Sequence, residues 1–231
     1  MAKGRSEWEH RVIDRSLLRS AESIRTRGIG PATRIVNAAI AISMETDGSS
    51  FSVQQVADRA DVALQTFYRH FGSKDALLLA LLEEFLKTNV EALKEQALLS
   101  NDPIEQLRII ITNAFETPGE TRGYGLAVVR EHFRLLEQFP IEVEQASAHY
   151  TDLLIFAMNN ARNAGKLSSP DIPADAVLIT NLVLYNYHRM RLGAIKGDPS
   201  EIGRRVWDLC RRALGVVFEV PGALTIVTNQ L

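Results

Sequence analysis

Cysteine is nearly absent. Cys210 is the single one in 231 residues, which excludes a disulfide framework within the chain and a cysteine-rich zinc site. Long apolar runs are missing too: no stretch reaches the roughly 18 residues that suggest a membrane-spanning helix. The charged N-terminus has no signal-peptide core, so the chain is expected in the cytoplasm with no membrane partner. There is no G-x-S-x-G elbow and no glycine-rich phosphate loop. His10, His70, His132, His149 and His188 form no H-E-x-x-H pair. Glu131 and His132, being adjacent, point to different parts of a helix surface. No nucleophile sits beside an obvious base. Neither an enzyme nor a metal or cofactor is expected.

What is present suits a globular chain. Hydrophobic residues make up 46% and charged residues 23%, enough for a sizeable core. The formal net charge of −2 hides an asymmetry. Residues 1–75 carry 11 Lys and Arg against 9 Asp and Glu, while residues 76–231 carry 15 against 19. A mildly basic front on an acidic body is compatible with a nucleic-acid partner, though charge alone does not make that case.

The apolar periodicity is helical throughout, with no period-2 strand. Ile35, Ala38, Ala39 and Ile42 place one helix over about 34–44, and Gly48-Ser49-Ser50 turns into the next. Ser52 and Gln55 have the spacing of a capping box, followed by Val53, Val56 and Ala57. Ala60-Asp61-Val62 breaks that run, since Asp tolerates a left-handed turn conformation. A second short helix covers 63–70, with Phe67 and Phe71 inward beside Val62 and polar residues around the rest. Gly72 ends it and Ser73 caps a long helix over 73–99. Two short helices joined in this way form a helix-turn-helix, whose second helix enters the DNA major groove.

The run VADRADVALQTFYRHFGSKDALL, and F-Y-R-H-F-x-S-K-x-x-L within it, resembles the DNA-binding signature of the TetR family of bacterial transcriptional regulators. The likeness covers about residues 31–82. One departure is Asp61, where family members usually have Gly. The resemblance implies an all-α fold: an N-terminal three-helix helix-turn-helix DNA-binding unit, joined by a long helix to a larger helical ligand-binding and dimerisation domain. It also implies roles. Gln54, Leu64, Gln65, Thr66 and Arg69 would face the groove, and Ser52, Tyr68, His70 and Lys74 would meet phosphates. The residue types agree, because Gln and Thr read base edges, Arg binds guanine, and an apolar side chain such as Leu64 can touch a thymine methyl.

The expected division is a basic N-terminal extension over 1–30, the DNA-binding unit over 31–75, the helical domain over 76–220 and a tail over 221–231. The extension carries a rough stripe from Trp8 to Ile24 and then Arg25-Thr26-Arg27, which reads as a partly ordered tail or a helix packed on a neighbour, or else as an arm that touches DNA. Further helices are expected over 103–115, 124–139, 140–165, 174–195 and 200–218, with breaks at Pro118-Gly119, 168–173 and Gly197-Asp198-Pro199. A pocket between the helices of 103–187 would take its polar groups from Arg130, Glu131, Tyr150, Tyr185, Asn186 and His188 and its apolar wall from residues such as Phe115, Phe133 and Phe156. The apolar sides of 174–195 and 200–218 imply a homodimer on operator DNA. Two readings stay open: a repressor released from double-stranded operator DNA by a small, largely apolar effector, or a DNA-binding dimer whose helical domain serves only dimerisation or protein contacts. A cavity of about 300–1,000 Å³ would favour the first.

Overall fold

The computed structural model describes residues 30–116 and 122–216. The expectations for the N-terminal extension, for Pro118-Gly119 and for the chain from 217 onward lie outside them. Nine α-helices and no strands occur among the described residues, so the fold is all-α.

Helix α1 (Pro31–Glu45) starts with Pro in its first turn, where a missing N–H costs nothing, and buries Ile35, Ala38, Ala39 and Ile42. Helix α2 (Val53–Arg59) has the expected capping box: Ser52 Oγ accepts from the Gln55 N–H, and the Ser52 N–H donates to Gln55 Oε1. The turn after it closes when Val62 N–H donates to the Ala57 carbonyl, with Asp61 at φ 51°. Asp61 therefore adopts the left-handed conformation that ends a helix. Helix α3 (Leu64–Phe71) is anchored by Phe67 and Phe71, both fully buried; burial of each contributes about 1.5–3 kcal/mol. Gly72, at φ 73°, stops it, and Ser73 Oγ caps α4 by accepting from Ala76 N–H.

Helix α4 (Lys74–Ala97) has 24 residues and is about 36 Å long. It leaves the α1–α3 unit through Leu77, Leu78, Leu81 and Leu82, then enters a helical bundle through Phe85, Leu93 and Ala97. Around it stand α5 (Pro103–Asn113), α6 (Arg122–Gln138), α7 (Pro140–Asn163), α8 (Ile172–Arg191) and α9 (Pro199–Ala213). Helix α4 packs on α5, α6 and α7, and α9 packs on α5 and α8. The core is continuous from Ile35 in α1 to Leu214 after α9.

Several boundaries differ from expectation by a few residues, among them the end of α8 at Arg191 rather than 195, and two have a plain local cause. Helix α8 starts at Ile172 rather than 174, because Asp171 caps it by accepting from Ala174 N–H, with Pro173 inside the first turn. Helix α9 stops at Ala213 rather than 218. Gly215 sits at φ 58° and Val216 N–H turns back onto the Arg211 carbonyl, a glycine stop that the apolar stripe concealed.

Candidate nucleic-acid interface and the cavity behind it

The polar residues expected at DNA fall on the first turn of α2, on α3 and on the first turn of α4. Ser52 Oγ spends an acceptor site on its cap and keeps its O–H to donate. Gln54 is exposed and its Nε2 donates to Asp58 Oδ1 at 2.6 Å, so it must leave that partner to read a base. Gln65, Tyr68 and Arg69 are exposed, whereas Leu64, Thr66 and His70 are half-buried. The Tyr68 ring stands edge-on to Phe67 at 5.4 Å, which fixes the direction of its hydroxyl. The Lys74 ammonium lies 5.1 Å from the centroid of the Phe51 ring. The aromatic face holds the cation near the surface without neutralising it. Arg59 belongs elsewhere: it forms a bidentate pair with Glu45 at 2.6 Å, tying α2 to α1.

Behind this unit, in the bundle, lies a cavity of about 440 Å³ with a mostly apolar wall. Phe85 and Leu93 of α4, Val128 of α6, and Val183 of α8 contribute to it, as do Ile40 and Met44 of α1. The space is thus bounded by the DNA-binding unit as well as by the bundle. Most polar groups on its wall already have partners. Tyr150 donates to the Ile110 carbonyl at 3.2 Å, Tyr124 to the Leu81 carbonyl, Thr180 to the Ala176 carbonyl at 2.9 Å and Asn89 to the Phe85 carbonyl at 2.6 Å. Burial pushes both phenols well above the usual tyrosine range.

Of the side chains expected in the pocket, Tyr150 and His188 line this cavity. Phe115 is fully buried in the core beside it. Phe133 and Phe156 are 55% and 54% exposed and face outward. Asn186 donates to the Leu182 carbonyl on its own helix. Arg130 reaches the carbonyls of Gly48 and Asp47, at 2.6 and 3.3 Å. That places it at the junction with α1. A helix in this bundle has apolar residues on two sides, and periodicity does not say which side meets the void.

The sequence reading missed two features. The first is the junction itself. A Cβ on Gly123 would lie 2.5 Å from the Ser43 carbonyl oxygen, so α6 touches the backbone of α1. Arg134, further along α6, pairs with Asp75 at the start of α4 and with Glu131, each at 2.8 Å. The hydrogen bonds it donates to Asp75 and Glu131 hold its guanidinium even more firmly protonated. The second is the pairing of His188 on α8, already among the expected pocket groups, with His132 on α6: their ring centroids are 4.7 Å apart on the cavity wall. Their separation of 56 positions hides the pair from any local motif.

Among the described residues no group of three or more His, Cys, Asp or Glu could hold a metal ion, and no helix is long and apolar enough to cross a membrane. The model of the bacterial regulatory proteins of the tetR family matches residues 35–81. The HTH-type transcriptional repressor KstR of Mycobacterium tuberculosis (strain ATCC 25618 / H37Rv) is 32% identical over 103 residues, 41% of this chain and 46% of that protein. The chain therefore matches less than half the length of this curated relative. Among solved structures, the fatty acid degradation regulator FadR from Bacillus halodurans superposes with a TM-score of 0.63 at 18% identity, over 80% of this chain and 96% of that one. FadR from Bacillus subtilis, in complex with stearoyl-CoA, gives 0.56 at 18% identity over 77% and 96%. Salmonella enterica GusR gives 0.60 at 18% identity over 83% and 98%. At these identities the likeness is one of fold.

Proposed function

From the premise that the chain belongs to the TetR family of bacterial transcriptional regulators, we propose that it is a homodimeric DNA-binding repressor, released from its operator in the cytoplasm by a small, largely apolar ligand. The observation that carries the reading is the cavity of about 440 Å³ bounded by both α1 and the bundle. It falls within the size range of small-molecule sites and favours a ligand-responsive protein over one whose helical domain only dimerises. The stearoyl-CoA held by the Bacillus subtilis relative is consistent with an apolar occupant.

On this reading α3 enters the major groove. Gln65, Thr66 and Arg69 read base edges, helped by Gln54 and Leu64, and Ser52, Tyr68, His70 and Lys74 hold the phosphates. The partner is a second copy of the chain. Helix α8 leaves Val177, Leu178 and Tyr185 exposed, Leu178 by 65%, and α9 leaves Leu209 exposed beside it. Covering this stripe with its symmetry mate would bury it and set two α3 helices on half-sites one DNA turn apart, at roughly 34–36 Å.

Helix α6 is the transmitting element. Tyr124, Val128 and His132 face the cavity, while Gly123, Arg130 and Arg134 grip α1 and the start of α4. A ligand that fits one tilt of α6 better than another biases the spacing of the recognition helices. A coupling of about 1–3 kcal/mol changes operator affinity about 5–150-fold, and DNA changes ligand affinity by the same factor. The test begins by selecting bound duplexes from a random library with the purified dimer. The expected product is a palindrome, and a compound that binds the cavity should weaken its complex. Recovery of no enriched sequence would overturn the DNA-reading assignment. A cavity-saturating compound that leaves the complex unchanged would overturn the switch.

A further inference from the structure

His132 and His188 are each only 4% exposed, and His132 Nδ1 has no hydrogen-bond partner. A buried polar atom left unpaired costs about 1–3 kcal/mol, so native structures seldom retain one without a reason. The atom belongs to a cavity-lining residue, and its neighbour across 4.7 Å is a second imidazole on the same wall. Phe133 closes one side of the pair, with ring centroids 5.6 Å from His132 and 5.2 Å from His188.

We infer that the ligand is an amphipathic carboxylic acid, whose apolar body fills the cavity and whose carboxyl group docks on the His132–His188 pair. The inference rests on the ligand-responsive reading above and names its ligand class. A carboxyl group offers one O–H donor and one carbonyl acceptor on a single carbon. A neutral imidazole offers one N–H and one bare nitrogen. Two adjacent imidazoles can therefore accept the acid's proton on one ring and donate to its carbonyl from the other.

The charge balance gives the proposal a signature. Burial depresses both imidazoles, and His132 depresses His188 further, to about 4. Near pH 7 the imidazole pair is therefore uncharged, while a free carboxylic acid in water is ionised. Other groups near the pair do not remove this requirement. Glu84 and Glu116 share the cavity wall and repel an anion, while Tyr150 and Tyr187 line it as phenols. Glu131 and Arg134 on α6 pair with each other, and the Arg191 guanidinium stands 5.9 Å over the Tyr187 ring. The acid must enter with one proton, which ends on the acid or on an imidazole. Binding thus takes up one proton per ligand, and affinity falls as pH rises, by about tenfold per unit between about pH 6 and 8.

The experiment uses the full-length dimer and matched probes: straight-chain acids of about 8 to 18 carbons and a polycyclic carboxylic acid, each beside its methyl ester and its alcohol. Binding is measured by calorimetry in two buffers of different ionisation enthalpy at several pH values, with operator affinity followed in parallel. The expected result is an acid at least tenfold tighter than its ester and alcohol, with about one proton taken up. That preference should be lost in His132→Phe and in His188→Gln. Two variants of different shape, each checked by its helical melt, guard against one failing to fold, and the proton count needs no variant. An ester or alcohol that binds as tightly as its acid, or binding without proton uptake, overturns the proposal. If such a neutral compound also releases the operator, the switch reading survives without this ligand class. If the acid binds with the expected signature and the operator stays bound, the site stands and the switch fails.

Discussion

Gly123→Ala tests the junction between α6 and α1 with one methyl group. Its Cβ would lie 2.5 Å from the Ser43 carbonyl oxygen, 2.9 Å from Met44 Cα and 3.0 Å from the Met44 carbonyl oxygen. All three are backbone atoms of a packed helix, so none can swing aside as a side chain would. Alanine in place of glycine inside a helix is worth about 1 kcal/mol of propensity in its favour. Overpacking costs about 1–3 kcal/mol. The net is a loss of up to about 2 kcal/mol. At about 2–4 °C per kcal/mol for a domain of this size, the melting midpoint falls by up to about 8 °C. If α6 relieves the clash by backing off α1, the recognition helices lose their setting, and 1–2 kcal/mol of misalignment weakens operator binding about 5–30-fold. The companion variant Gly203→Ala makes a similar clash, 2.6 Å from the Thr112 carbonyl oxygen, but between α9 and α5. It should lower the melting midpoint without that effect on intrinsic half-site binding. The assays are thermal denaturation by circular dichroism and fluorescence anisotropy with a labelled half-site duplex. A rise in melting temperature with unchanged half-site affinity for Gly123→Ala would show that propensity dominates and that the junction is not tight.

The remaining expectations concern recognition, the turn, the dimer and pH. Gln65→Ala should relax sequence choice by about 1–3 kcal/mol, whereas Lys74→Ala should weaken binding to every duplex and reduce the salt slope by about 1; competition against random DNA across a salt series separates the two. Asp61 occupies φ 51°, so Asp61→Gly should leave stability equal or higher, and Asp61→Val should lower it by about 1–2 kcal/mol, as read from urea unfolding. Leu178→Asp places a charge in the exposed α8 stripe and should give a monomer by sedimentation, with operator affinity lost; a dimer of unchanged strength would assign the twofold contact elsewhere. For pH, His188 is held at about 4 when folded against an ordinary value near 6.5. Below about 6.5 the unfolded chain binds a proton that the folded one refuses, so stability falls as pH drops towards 4, and urea midpoints should show a smaller fall in His188→Phe.

The DNA-binding end was legible in the sequence because its determinants are local. A capping box needs two residues three apart, and Ser52 and Gln55 supply it. The left-handed turn needs a tolerant residue at one position, and Asp61 is one. Phe67 and Phe71 need only helical spacing to reach the same core. The cavity was not legible in that way. Phe133 and Phe156 have the composition of a pocket wall but sit on outward faces, and residue type alone does not say which face of a helix meets the void. Arg130 looked like a ligand anchor and proved to be a clamp on the Gly48 carbonyl, 82 positions away in sequence. Gly123 signalled nothing, since a glycine within a helix shows its purpose only when the neighbouring backbone is in place.

The cavity also bears on how the protein responds to heat. A cavity of about 440 Å³, partly open to solvent and walled mainly by apolar side chains, leaves those side chains facing water instead of packed neighbours, so part of the stabilisation of close packing is missing there. The ligand-free form is therefore less resistant to unfolding than its helices alone would make it. Any molecule that occupies the space raises the melting temperature, whether it loosens the protein from DNA or tightens it. At a hundred times its dissociation constant an occupant adds about 2.7 kcal/mol, which corresponds to about 5–11 °C for a chain of this size. Thermal shift can therefore sort a compound library for occupants before any operator is known, and the direction of each compound's effect on transcription becomes a separate question.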